Sequence, residues 1–525
     1  MKNLTSSVYN FEDLIQGDFL YVDKTEYIWQ MIKPAKEMYF LSRPRRFGKS
    51  LTVSTLKAVF EGKKELFKGL ALYDKPYNWK VHPVIHLSFG DYNPINYTAE
   101  RLNTYLSDKV STIAQSYSVE LPPTQDASSA FGKLIDELSK KANVVILVDE
   151  YDKPILDNIT NPEIAQIQKI LKGFYSVLKD RNDRERLLFV TGVSKFSHVS
   201  LFSDLNNLTD ITMDARFATM FGYTQEELET HFSDRIAALA GEQGVETFKA
   251  KIKEWYNGYR FEENSKTVYN PVSLAKFFES GGKFNNYWFS TGTPSFLMEL
   301  TKKTDFDFSS VVGGDSVPEV AFSAFEIENM DPLALLLQTG YVTIKGTEEK
   351  FDQTWYFLDF PNREVAGAFS AYILNSYAGK TRTGVVQFTA EIATALLKGD
   401  LQKLRKIMEV FFAGIPYDVH KKNEATFQAI FFSLFRLLGQ YIEAESTTND
   451  GRIDAVVQTE KVVYLFEFKL DNDPTALEQI KAKEYFKKYL LDQRDIYITG
   501  VNFDSHKGNL IGWETEAVKS AGKAD

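Results

Sequence analysis

No cysteine occurs among the 525 residues. Disulfides, thiolate zinc sites and cysteine nucleophiles are therefore excluded. Histidine is scarce, with six residues and no paired spacing suited to zinc. Long apolar runs are lacking too: the most apolar stretch, Ala429–Phe435, meets Arg436 far short of membrane-spanning length. The opening residues Met1–Ser7 have no signal-peptide apolar core. An excess of positive charge is also missing. The net charge of −10 excludes a protein that coats nucleic acid by bulk electrostatics, so any such contact must use local basic patches or metal ions. These absences together predict a cytoplasmic protein with no membrane contact.

The chain is long enough for two to four domains, and its 44% hydrophobic content suffices for a large core. The first 220 residues or so alternate strand and helix signals, as a parallel sheet requires. Met38–Leu41, Val84–Phe89, Val144–Val148 and Leu187–Thr191 read as strands. Val144–Val148 is apolar at every position, the pattern of a strand covered on both faces. From Thr224 the pattern turns helical, over Gln225–Leu239 and Val245–Tyr256. Thr389–Phe412 and Glu424–Ile442 read as helices, the second with Phe427, Ile430, Phe431, Leu434, Leu438 and Tyr441 at helical spacing. A hairpin follows.

Two constellations carry chemistry. The first is Phe40-Leu41-Ser42-Arg43-Pro44-Arg45-Arg46-Phe47-Gly48-Lys49-Ser50. A phosphate-binding loop is written G-x-x-x-x-G-K-[ST], with backbone amides around the phosphates, lysine on the outer phosphates and the hydroxyl on magnesium. Gly48, Lys49 and Ser50 fit its second half, whereas Arg43 occupies the first glycine position. Taken alone, the tripeptide reads more readily as a basic strand-to-helix turn. The strand Val144–Val148 changes that balance because it ends in Asp149-Glu150. That is the Walker B pattern: Asp149 would hold Mg²⁺ and Glu150 would polarise the attacking water. The fourth strand runs into Thr191-Gly192-Val193-Ser194-Lys195, whose polar tip, Ser194 above all, would lie beside the γ-phosphate.

At this point the chain resembles the AAA-ATPase-like family. The resemblance rests on Tyr21-Val22-Asp23-Lys24-Thr25, Arg43–Ser50, Val148-Asp149-Glu150-Tyr151-Asp152 and Phe202-Ser203-Asp204-Leu205-Asn206-Asn207-Leu208. Bacterial members of that family commonly carry a C-terminal PD-(D/E)XK nuclease domain. The resemblance implies that the arginine-rich loop is the family's own version of the P-loop. The residues expected to bind ATP are then Arg45, Arg46, Phe47, Gly48, Lys49, Ser50, Leu51, Asp149 and Ser194, with Ser50 and Asp149 on the metal.

The second constellation is Gly451-Arg452-Ile453-Asp454 followed by Phe466-Glu467-Phe468-Lys469. PD-(D/E)XK chemistry needs an acid on one strand and acid-x-lysine on the next, the acids binding Mg²⁺ and the lysine orienting water. Arg452–Gln458 and Val462–Lys469 read as strands joined by Thr459-Glu460-Lys461. If the turn comprises Glu460 and Lys461, Thr459 faces Val462, and counting outward sets Asp454 opposite Glu467. Glu467 and Lys469 share a face by period-two alternation. The competing readings are a solvated hairpin face or a buried salt bridge; the apolar neighbours of Glu467 make the first costly. Gln479, Lys483 and Tyr485 are expected on the next helix, and the spacing of Gln479 resembles a catalytic position of this nuclease subgroup. Glu424, Glu443 and Glu445, at the ends of the preceding helix, are weaker candidates for the metal and read more often as solvated acids.

The expected architecture is α/β: a P-loop NTPase parallel sheet over 1–223, a helical and mixed extension over 224–380, and an α/β restriction-endonuclease-like domain with its preceding helices over 381–525. The expected activity is that of an ATPase and metal-dependent nuclease using ATP and Mg²⁺, acting on nucleic acid and on DNA rather than RNA, with a role in defence by domain pairing alone. The alternative is a nucleotide-dependent switch or scaffold whose nuclease-like module only binds. A homo-oligomeric state is left open.

Overall fold

A computed structural model describes the chain apart from residues 1, 95, 123–125, 160, 196–200, 203–204, 206, 289–315, 323–331, 379–381, 415–423, 440–442, 447–454, 471–475, 505–508 and 519–525. It divides into two compact units, Met1–Thr291 with Glu319–Ile344, and Gly292–Pro318 with Lys345–Asp525.

The first unit is built on five strands: β1 (Glu37–Ser42), β2 (Val84–Ser88), β3 (Val144–Asp149), β4 (Glu185–Gly192) and β5 (Thr209–Asp210). Their order is β2-β3-β4-β1-β5, and every pairing is parallel. All six residues of β3 are buried: Val144–Val148 as an apolar run covered on both faces should be, and Asp149 at the strand's end with them. Helices Ala99–Ser116, Ala127–Ser139 and Ile164–Ser176 cover one face through Leu102, Leu106, Phe131, Leu134, Leu171 and Phe174. The sequence neighbours β1 and β2 are not adjacent in the sheet: β3 and β4 lie between them. Register then aligns the strand ends, with Ser42 opposite Gly192 and Asp149 opposite Thr191. The carboxyl edge of such a sheet is where α/β folds bind ligands.

Helices Gln225–Ala240, Val245–Tyr256 and Pro271–Glu279 form a second core with Phe232, Phe248, Tyr256 and Phe277. The first of them opens with a capping box, Thr224 with Glu227. Glu227 also pairs with Lys24 at 2.6 Å, and Asp23 accepts from the Ala71 amide at 2.7 Å. The Asp23-Lys24-Thr25 motif therefore acts as a staple between segments distant in sequence.

Three further strands are β6 (Val317–Pro318), β7 (Thr343–Lys350) and β8 (Gln353–Asp359), ordered β6-β8-β7. The C-terminal sheet comprises β9 (Glu443–Ser446), β10 (Ala455–Gln458), β11 (Val462–Leu470), β12 (Asp495–Asp504) and β13 (Asn509–Val518), in the order β13-β12-β11-β10-β9. β11 and β12 are parallel, joined through helix Ala476–Lys483; the other pairings are antiparallel.

Several elements differ from the sequence expectation. The region 389–412 contains parts of two helices, Arg382–Lys398 and Leu401–Ala413, separated at Gly399, which has a left-handed backbone. The helix from Glu424 stops at Leu438, and Glu443 and Glu445 lie on strand β9 rather than at its end. Their two-residue spacing is strand alternation, which helix-length counting concealed. Tyr485 lies past the helix of Gln479 and Lys483, on a short 3₁₀ turn entered through left-handed Glu484.

Candidate active sites on the two sheets

The phosphate loop joins buried β1 to helix Lys49–Phe60. Arg46 and Gly48 both have positive φ, at 71° and 94°. No atom would obstruct a Cβ at Gly48, so glycine is required there by conformation alone. Left-handed residues at alternate positions before a helix N-terminus are the backbone pattern from which anion-binding concavities are made. Phe47 is buried edge-on against Tyr259 at 4.8 Å and Phe261 at 5.3 Å, which anchors the loop and leaves only its backbone for phosphate. Arg45 and Arg46 are exposed, and Leu51 lies in the first helical turn.

Lys49 is buried and its Nζ donates to the carbonyls of Arg43 at 2.9 Å and Pro44 at 3.0 Å. Burial lowers its pKa, against the raising pull of Asp149, Glu150 and Asp152. A nucleotide phosphate would take over the two carbonyls' role as partners. Asp149 is 4% exposed and hydrogen-bonded to the Ser50 side chain, while its Oδ1 has no hydrogen-bond partner among the described residues. Burial raises its carboxyl pKa. An orphaned buried acceptor beside a hydroxyl fits an oxygen-preferring divalent cation. Glu150, directly after β3, is half-buried with φ 56°, a costly conformation for a non-glycine residue.

Ser194 is fully buried and its hydroxyl donates to Asp152 Oδ2 at 2.9 Å. The same oxygen accepts from the amides of Val193 at 2.9 Å and Ser194 at 2.7 Å, and Tyr151 donates to the Ser194 carbonyl at 3.0 Å. Asp152 thus holds the β4 tip in place. Reading the acidic strand only as far as Glu150 misses this role; the signal was a third acid two residues beyond. Thr191, opposite Asp149, has a buried hydroxyl oxygen with no partner among the described residues.

In the C-terminal sheet, Thr459 pairs with Val462 across a turn of two residues, its amide donating to the Val462 carbonyl at 2.9 Å. Gln458 then faces Val463 and Ala455 faces Phe466. This is the register the two-residue turn demands; Asp454 lies outside the described residues. Alternation along β11 sends Tyr464, Phe466 and Phe468 to one side, where Phe431 stacks on Phe468 at 3.9 Å. Val463 and Leu465 point to the other side and pack with Leu477 and Ile480 of helix Ala476–Lys483. Glu467 shares that side and is 2% exposed; Lys469 is half-buried. Gln479 Nε2 donates to Glu467 Oε1. The contact depends on Gly500, opposite Glu467 on β12, because any Cβ there would lie 2.3 Å from the Leu477 amide nitrogen. Among the described residues no group of three acids or histidines could hold a metal.

Residues 6–202 match the family model described as predicted AAA-ATPase, and residues 422–513 match that of the PD-(D/E)XK nuclease superfamily. A protein of Azotobacter chroococcum mcd 1, named as an uncharacterized protein in the vnfD 5' region, is 36% identical over 533 residues, covering 98% of this chain and 99% of its own. No solved structure matches. Among the described residues no helix is long and apolar enough to cross a membrane.

Proposed function

The chain belongs to the AAA-ATPase-like family and carries a C-terminal domain of the PD-(D/E)XK nuclease superfamily, and on that premise we propose that it is an ATP-regulated, Mg²⁺-dependent nuclease acting on DNA. The observation that carries the nucleotide half is the orphaned Asp149 carboxylate oxygen beside Ser50, one strand away from Lys49. Ser50 and Asp149 would hold the cation there, and Asp454 and Glu467 would do so on the second sheet. Bound Mg²⁺ supplies charge neutralisation on phosphate oxygens. Lys49 binds the outer phosphates, the amides of Arg45 to Leu51 orient them, and Glu150 orients and polarises water. Asp152 keeps Ser194 and the β4 tip at the end of the sheet where the γ-phosphate would lie. On the nuclease side Gln479 fixes the rotamer of Glu467, and Lys469, two residues along the same face, positions the attacking water. DNA as substrate and a role in defence against foreign nucleic acid follow from the domain pairing, by analogy.

The test is a cleavage titration of the purified full chain with single- and double-stranded DNA and RNA, with and without ATP and Mg²⁺. Mg²⁺-dependent DNA cleavage whose rate changes with ATP is the expected result. ATP binding without cleavage of any substrate would replace this reading with a nucleotide switch bearing a binding module.

A further inference from the structure

Arg43 stands where a phosphate loop ordinarily has its first glycine, and its side chain contacts Thr212 and Phe261. It is 1% exposed. Its Nη1 donates to the carbonyls of Ser42 at 2.9 Å and Thr212 at 2.5 Å, and its guanidinium lies over the Phe261 ring at 4.3 Å. Nε and Nη2 are buried without a hydrogen-bond partner among the described residues. The nearby acid, Asp210, is already engaged by Lys195 at 2.7 Å. A guanidinium does not shed its charge to relieve burial as a lysine does, so an unpaired one inside a protein calls for a counter-ion.

Arg43 lines a cavity of about 40 Å³. Lys195 and Arg260 line it too, while Lys49, Ser50, Asp149 and Glu150 do not. No acid is among its lining residues; Thr343 and Gln338 supply neutral polar groups and Phe261 an aromatic wall. The space holds roughly three water molecules, at about 10–15 Å³ each, which is also the scale of a small oxyanion. A buried guanidinium with two unpartnered nitrogens, at a space with no acid in its lining, selects for negative charge.

We propose that this cavity is a second anion site, lined by the start of the loop at Ser42, Arg43 and Pro44 but not by Lys49 or Ser50, which takes a small oxyanion onto Arg43 with Lys195 and Arg260 around it. The bound ion supplies the partner that the buried guanidinium lacks. Arginine forks match the planar or tetrahedral oxygens of carboxylate and phosphate, so both headgroups share the required chemistry.

The experiment is thermal denaturation and calorimetric titration of the full chain with inorganic phosphate, with acetate and with chloride as the ionic-strength control. Phosphate is expected to bind Lys49→Ala, in which the phosphate loop is disabled, and to bind the double variant Lys49→Ala/Arg43→Met at least tenfold more weakly. In anion-free buffer Arg43→Met should melt no lower than the parent, because it removes an unpaired buried charge. An equal response to acetate identifies a carboxylate ligand; a response to phosphate alone identifies a tetrahedral oxyanion. Equal phosphate affinity of Lys49→Ala and Lys49→Ala/Arg43→Met, or no phosphate binding to Lys49→Ala, overturns the proposal. Should Arg43→Met fail to fold, the parent saturated with ATP and Mg²⁺ must still bind one phosphate, and no binding under those conditions overturns it as well.

Discussion

Glu185 opens β4, the strand that carries Thr191 and the Ser194 tip at its other end, and it is fully buried with both carboxylate oxygens unpartnered among the described residues. Burial is the largest cause that raises its pKa from 4.5 to about 8, helped by Asp183 and opposed by Lys36. The sign follows directly. In the unfolded chain this carboxyl ionises near 4.5, whereas the folded protein holds it protonated up to about pH 8. Stability is therefore lost as pH rises from 4.5, and the loss levels off above the folded value. Between pH 5 and pH 9 the group costs the folded state about 4 kcal/mol. Glu185→Gln keeps the shape but cannot ionise. Whatever fixed cost its buried amide carries is the same at both pH values, so the difference between variant and parent should change by that amount in favour of the variant. For a unit of roughly 300 residues, with an unfolding entropy of about 2 cal/mol/K per residue, this is a relative shift of about 6 °C. Scanning calorimetry of both proteins at pH 5 and pH 9 measures it, other titrating groups cancelling in the comparison. A variant-to-parent gap in Tm that stays constant within 1 °C across that range would show that Glu185 is ionised in the folded protein and that its burial has been compensated.

Lys49→Ala should weaken ATP binding at least tenfold by calorimetry; unchanged affinity would remove the phosphate-loop assignment. Glu150→Gln should retain bound ATP while hydrolysis slows by roughly 10²-fold or more, the contribution typical of a positioned base, and parental turnover would rule out that role. Asp454→Ala and Lys469→Ala should each abolish DNA cleavage with ATP affinity intact, because the two sites are on separate sheets; cleavage at the parental rate by either would refute the nuclease assignment. Gly500→Ala should cost about 1–3 kcal/mol of stability through overpacking against Leu477 and should slow cleavage by shifting Gln479 off Glu467; a variant as stable and active as the parent would show that the helix does not need its close approach.

What the sequence determined by itself was local. Periodicity and turn chemistry located β1, β3 and β4, the Gly48-Lys49-Ser50 junction and the Asp149-Glu150 strand end, because burial on two faces and helix N-terminal anion binding leave marks within a dozen residues. The β10–β11 register followed from the sequence on condition that Glu460 and Lys461 form a two-residue turn, which the structure has. Other features were decided by contacts between residues far apart in the chain. The insertion of β4 between β1 and β3 brings Thr191 opposite Asp149. The Asp152 clamp on Ser194 spans 42 residues, and nothing local distinguishes that acid from a solvated one. Glu443 and Glu445 became strand residues because β10 offered them a pairing partner. Gly500 reads as an unremarkable strand glycine until a helix from earlier in the chain presses its backbone against it. Arg43 looks like a loop cation awaiting phosphate; Thr212 and Phe261, 169 and 218 residues downstream, are what turn it inward. Sequence records the preferences of each segment, and only the folded chain decides which distant groups stand close enough to satisfy, or to strand, a buried charge.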